Sequence, residues 1–153
     1  MRPVEALQEA LAGEHAAVYV YGVVGGRVSL SAEPTLWQQV RSAYTVHRGR
    51  RDQLLVMVRD MGEEPVAAEV AYALPNPAHT PAELTAVGRQ IEERCTAVYA
   101  DVVGSTWGAN RQWALEALTD AAVRQLGFGG SPDTFPGVQG LPEPSPASGQ
   151  PAR

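Results

Sequence analysis

Four amphipathic segments, each closed by chain breakers, are joined by a short link, a long link and another short link. This spacing limits the fold more than any other feature of the sequence. The first segment runs from about Val4 to Val24 and stops at Gly25-Gly26, a good helix C-terminal signal. The second opens after Ser31-Ala-Glu-Pro34, with Thr35 placed to cap it, and ends near Met61-Gly62. Thr80-Pro81-Ala82-Glu83 starts the third, with proline at the first helical position and glutamate three residues after the cap. That helix continues to about Val103. Gly104 to Gly108 breaks the chain, and Asn110 is placed to cap a fourth helix ending near Gly127.

Short links make antiparallel neighbours, whereas the link from Glu63 to Pro81 is long enough to cross a bundle from end to end. It has to span roughly 30 Å, which an extended chain of this length reaches easily. Its prolines, in Tyr72-Ala-Leu-Pro75-Asn-Pro77, make it stiff, and its apolar residues suit packing along the helices. The expected fold is therefore all-α: a ferritin-like four-helix bundle with a long helix 2–3 crossover, occupying residues 1–137. Phe135, in Phe135-Pro136-Gly137, is an aromatic available to dock on the bundle. From 138 to 153, Pro, Ser, Gly and Gln replace core residues, and this tail is expected to be disordered.

Composition agrees with helices. Ala, Leu and Val dominate the apolar residues and Ile91 is the only isoleucine, so β-branched and aromatic runs that favour sheet are missing. The net charge of −5 disfavours nucleic acid and anionic membranes as partners. All 12 cationic side chains are arginine, as a GC-rich genome produces. One cysteine, Cys95, rules out an intrachain disulfide and a cysteine-rich zinc site. The N-terminus has no apolar signal-peptide core, and no uncharged run reaches the roughly 18 residues of a membrane span. A cytoplasmic location is expected.

Helical periodicity puts ionisable residues in the core stripes. In helix 1, Glu14 falls within the stripe of Leu7, Leu11, Val18 and Tyr21, with His15 on the flank. A carboxylate there is costly unless paired or metal-bound. In helix 2, His47 lies at the centre of Leu36, Val40, Ala43, Leu54, Val58 and Met61. Arg51 follows one turn on from it, with Arg50 on the other flank. Helix 3 turns Leu84, Val87, Ile91, Cys95, Val98 and Val102 inward. Glu92 lies on the border of that stripe beside Tyr99, and Glu93 on the opposite face. In helix 4 one face carries Leu115, Leu118, Ala122 and Leu126, and an adjoining face Ala114, Ala117 and Ala121. Asp120 is off the Leu face and within reach of Arg124. Trp37, Trp107 and Trp113, near helix ends, are read as packing residues rather than dimer contacts.

Several strings together resemble the ferritin-like domain-of-unknown-function family DUF4439 of actinobacteria. They are Ala12-Gly-Glu14-His15-Ala-Ala-Val-Tyr19-Val-Tyr21-Gly22, His47-Arg48-Gly-Arg50-Arg51-Asp52 and Tyr72-Ala-Leu-Pro75, then Glu92, Leu118-Thr119-Asp120-Ala-Ala-Val123 and Phe135-Pro136-Gly137. The resemblance runs from about Val4 to Gly137. It implies the ferritin-like fold, an actinobacterial source and a homodimer, supports an inward Asp120, and implies no activity.

The candidate polar core is thus Glu14, His47, Arg51, Glu92 and Asp120, and three readings of it stay open. As a mononuclear or degenerate dinuclear metal site of an oxidoreductase-like protein it would use Glu14, His47, Glu92 and Asp120, with iron, manganese or zinc as candidate ions. A di-iron centre needs a Glu on each of two helices and Glu-x-x-His on each of the others. Helix 2 offers Tyr44-x-x-His47 and helix 4 Glu116-x-x-Thr119, so a glutamate and a histidine are missing. The leading reading is a buried salt-bridged network in which arginine replaces the cation, with no cofactor. The third is a small-molecule or interaction site between the helices, with His47 and Glu14 as an acid–base pair if it is catalytic. No nucleophile or cofactor loop marks an enzyme.

Overall fold

The computed structural model describes residues 1–138. They form four helices, α1 (Pro3–Gly25), α2 (Pro34–Asp60), α3 (Pro81–Ser105) and α4 (Gly108–Gly127), with no strand among the described residues. Proline opens three of them, where its missing N–H leaves no bond unmade. Thr80 caps α3 through the reciprocal Thr80–Glu83 pair. The other expected caps differ. α2 begins at Pro34 behind Glu33, not at Thr35, and α4 begins at Gly108, ahead of Asn110, because Gly108 takes the positive φ of 57° that turns the chain into the helix.

Contacts along α1 set the helix directions. Gly25 faces Val40 and Gly22 faces Tyr44 of α2, while Tyr21 meets Glu92 and Gly13 meets Val98 of α3. Both neighbours therefore run antiparallel to α1 and parallel to each other. Gln39 with Gly127, Arg50 with Asp120 and Gln53 with Trp113 set α4 antiparallel to α2. The α2–α3 connection travels beside α1. Gln8 exchanges hydrogen bonds with Glu64 and Val66, His15 donates to the Val66 carbonyl, Tyr19 packs on Tyr72, and Arg27 reaches the Pro77 carbonyl.

The apolar core has two lobes. Leu7, Leu11, Leu54, Val58, Val102 and Ala114 fill one end, and Tyr21, Val24, Val40, Val87, Ile91 and Phe128 the other. A fully buried Leu or Val contributes roughly 1.5–3 kcal/mol. The α4 face points the other way from its hydrophobicity. Ala114, Ala117 and Ala121 are buried, while Leu115 and Leu126 are 43% and 42% exposed. Small side chains let α4 approach its neighbours closely, while Trp113 and Leu118 pack at the border of the core. Phe128 docks on the bundle: its ring occupies the space left by Gly88 of α3, where a Cβ would come within 2.7 Å of it, while Phe135 is 42% exposed. Trp113 packs edge-on against Tyr99, and Trp107 is 74% exposed. Of the tail expected from 138, only Val138 lies within the described residues. No helix among them is long and apolar enough to cross a membrane.

Candidate functional site: a buried acid–imidazole cluster

Between the two lobes lies a layer of ionisable side chains. Glu14, His47 and Glu92, from α1, α2 and α3, are all at most 1% exposed. His47 Nδ1 is 2.8 Å from Glu14 Oε2 and Nε2 is 3.2 Å from Glu92 Oε1. An imidazolium, which donates from both ring nitrogens, matches two carboxylates placed as acceptors on either side of it. The direction of its pKa agrees. Burial pulls the imidazole down, but Cys95 and Glu14 pull it further up, leaving it well above the ordinary histidine value.

Two phenols complete the carboxylates' shells. Tyr21 donates to Glu92 Oε1 at 2.6 Å and its ring stacks on His47, while Tyr99 donates to Glu14 Oε1. Burial first, then the neighbouring charges, raise both phenols well above their ordinary range, so they remain donors. The second oxygen of Glu92, Oε2, is buried with no partner. Cys95 lies alongside, its thiol pushed up by burial. The ligand atoms of Glu14, His47 and Cys95 lie within 4.8 Å of one another.

The arginine of this layer is Arg50, not Arg51. Arg50 is buried, its Nη1 is 3.5 Å from the Tyr99 hydroxyl, and its Nη2 donates to Asp120 at 2.7 Å. Arg51 turns outward onto Asp52. The buried positions of α2, at 36, 40, 43, 47, 50, 54 and 58, show the reason: steps of four and three alternate up to Leu54, and a step of three after His47 reaches Arg50. Asp120 stands at the edge, 40% exposed, gripped by Arg50 and Arg124. Burial would raise its pKa, but the hydrogen bonds and charges of the two arginines bring it down overall. With both guanidiniums on it, Asp120 does not join Glu14, His47 and Glu92 as a fourth donor.

Of the sequence candidates, Glu14, His47 and Glu92 come together, Asp120 connects through Arg50, and Arg51 does not take part. A di-iron centre does not fit. The layer offers two buried carboxylates and one histidine where four and two are needed, and a guanidinium already stands beside them. Cys95 was placed on the inward stripe from sequence but not grouped with Glu14 and His47, because a lone cysteine carries no spacing.

Fold and site together define an all-helical bundle with a charged layer across its core. The chain belongs to the family described as "Domain of unknown function (DUF4439)", which matches residues 6–140. It is similar to the crystal structure of a conserved hypothetical protein, rv2844, from Mycobacterium tuberculosis. The two share 30% identity and a TM-score of 0.76 over 83% of this chain and 94% of that one. No curated protein matches.

Proposed function

We propose that this chain is a ferritin-like bundle whose core is a proton-held charge network, serving as a non-catalytic binding or interaction module. The carrying observation is that His47 stands between Glu14 and Glu92, each from a different helix, with both ring nitrogens engaged. The Arg50–Asp120 pair extends the layer to α4, so one network touches all four helices. Such networks add little net stability but can fix register. The parallel α2 and α3, and the connection running along α1, support the ferritin-like crossover. The homodimer implied by the resemblance belongs to this proposal, and light-scattering mass tests it.

The direct test is elemental analysis of protein purified without chelator, joined to ring-nitrogen NMR of His47. The network reading expects far less than one metal per chain and two protonated ring nitrogens. Stoichiometric metal that disappears in His47→Ala overturns it.

One observation favours a second reading. Glu14, His47 and Cys95 converge within 4.8 Å, and Glu92 Oε2 has no partner. Carboxylate, imidazole and thiolate suit a single zinc-like ion. Cobalt(II) titration tests this: a thiolate-to-cobalt absorption band absent in Cys95→Ser supports it, and no band removes it.

A further inference from the structure

The described surface has a groove that the polar layer does not use. It lies between α1 and the first half of α2, measures about 300 Å³, and is lined by Tyr21, Gly22, Gly25, Trp37, Val40, Arg41 and Tyr44. That volume is at the lower end for a small-molecule site. Its α1 wall is low because Gly22 and Gly25 carry no side chain, and α2 contributes two aromatic rings and a valine. A guanidinium stands over each ring, Arg41 5.0 Å from the centre of Trp37 and Arg48 5.6 Å from that of Tyr44. Neither arginine forms an ion pair among the described residues. The groove is therefore a mostly apolar, aromatic-lined slot with an arginine, Arg41, that has no ion-pair partner in its lining.

We propose that this groove binds a small planar aromatic carboxylate, its ring between Trp37, Val40 and Tyr44 and its carboxylate on Arg41. The reasoning is one of complementarity. Aromatic walls select a flat apolar body, and a guanidinium fork matches a carboxylate in two parallel hydrogen bonds. A neutral aromatic would leave Arg41 unpaired, and a non-planar anion would leave the walls unfilled. Tyr21 forms part of the lining, and its hydroxyl bonds Glu92 on the far side, so an occupant would sit one side chain away from the charged layer. The assignment gives a ligand class to the binding module proposed above and rests on that reading.

The test uses the full chain with 1-naphthoate and its neutral counterpart 1-naphthamide, followed by calorimetry and by the three tryptophan indole N–H signals in NMR. The expected result is that naphthoate shifts the Trp37 signal, leaves those of Trp107 and Trp113 in place, and binds at least tenfold more tightly than naphthamide. Arg41→Gln, an exposed change, should abolish that preference. Gly22→Leu should block both probes by filling the slot; the Cβ itself would stand 3.7 Å from Tyr44, an ordinary contact. Equal binding of the two probes, an unmoved Trp37 signal, or naphthoate affinity unchanged in Arg41→Gln overturns the proposal. Any of these results, with His47 still doubly protonated and the protein metal-free, would remove the ligand assignment and leave the network reading standing.

Discussion

Arg50 reaches from α2 to Asp120 of α4, with Nη2 2.7 Å from Oδ2, and is the only buried arginine among the described residues. The adjacent Arg51 points out onto Asp52. Arg50→Ala should lower unfolding stability by about 1–3 kcal/mol, the scale of losing a charged hydrogen bond partly open to water. Arg51→Ala should stay within about 0.5 kcal/mol of the parent, as surface changes do. Urea denaturation of both variants checks this, and equal midpoints would contradict the assignment of Arg50 to the core layer.

The two buried glutamates should not be equivalent. Glu14 uses both oxygens, one with His47 and one with Tyr99, whereas Glu92 places two donors on Oε1 and none on Oε2. Removing one partner of a buried pair costs about 3–5 kcal/mol. Glu14→Gln should approach that range, and Glu92→Gln should cost at least about 1 kcal/mol less, because one of its oxygens has no bond to lose. Chemical denaturation of the pair decides it. A larger loss in Glu92→Gln would show that Oε2 has a partner in solution.

Stability should fall on the alkaline side. A histidine with a raised folded pKa contributes fully below its unfolded value of about 6.5. That contribution disappears as pH rises through the higher folded value, at up to about 1.4 kcal/mol per pH unit for one proton. His47 is raised, so the loss belongs above neutral pH. Asp120, with a lowered pKa, acts in the opposite sense, and its smaller contribution goes as pH falls below the carboxylate range. Thermal melts from pH 6 to 9 should show the alkaline decline in the parent and a flatter profile in His47→Gln.

Gly88→Ala puts a methyl group where the Phe128 ring now lies, within 2.7 Å of it. Overpacking of this kind costs about 1–3 kcal/mol. Combining it with Phe128→Leu should recover part of the loss, which a double-mutant cycle measures. Additive effects would mean that the two side chains do not share the space.

The helices were legible because breakers and periodicity are local. Gly25-Gly26, Thr80-Pro81 and Gly127 lie where the chain turns. Glu14 and His47 were legible because a charged residue inside a Leu and Val stripe contradicts the stripe. Arg50 and Arg51 differ by only about 100° around the helix, so a small phase error exchanges them, and the alternation of buried positions settles the phase only once the whole helix is counted. The α4 face stayed open between its Leu side and its Ala side for a different reason. Leu is more hydrophobic than Ala, but at a close helix contact size decides, and a single sequence does not show how close two backbones come. Cys95 and the shared hydroxyls depend on three helices meeting, which no spacing within one helix encodes.

The path of the α2–α3 connection bears on how the chain could be divided. Its most exposed point, Val70, fully open to solvent, lies between the contacts of Val66 with Gln8 and His15 and the packing of Tyr72 on Tyr19. A single cut there would yield two pieces, each a pair of helices with a short tether. The junction between them would contain Glu14 and His47 on one piece and Cys95 and Glu92 on the other. Reassembly of the separated halves would then depend on the same imidazolium that closes the intact core, so mixing them at rising pH would report on that proton through recovery of the complex.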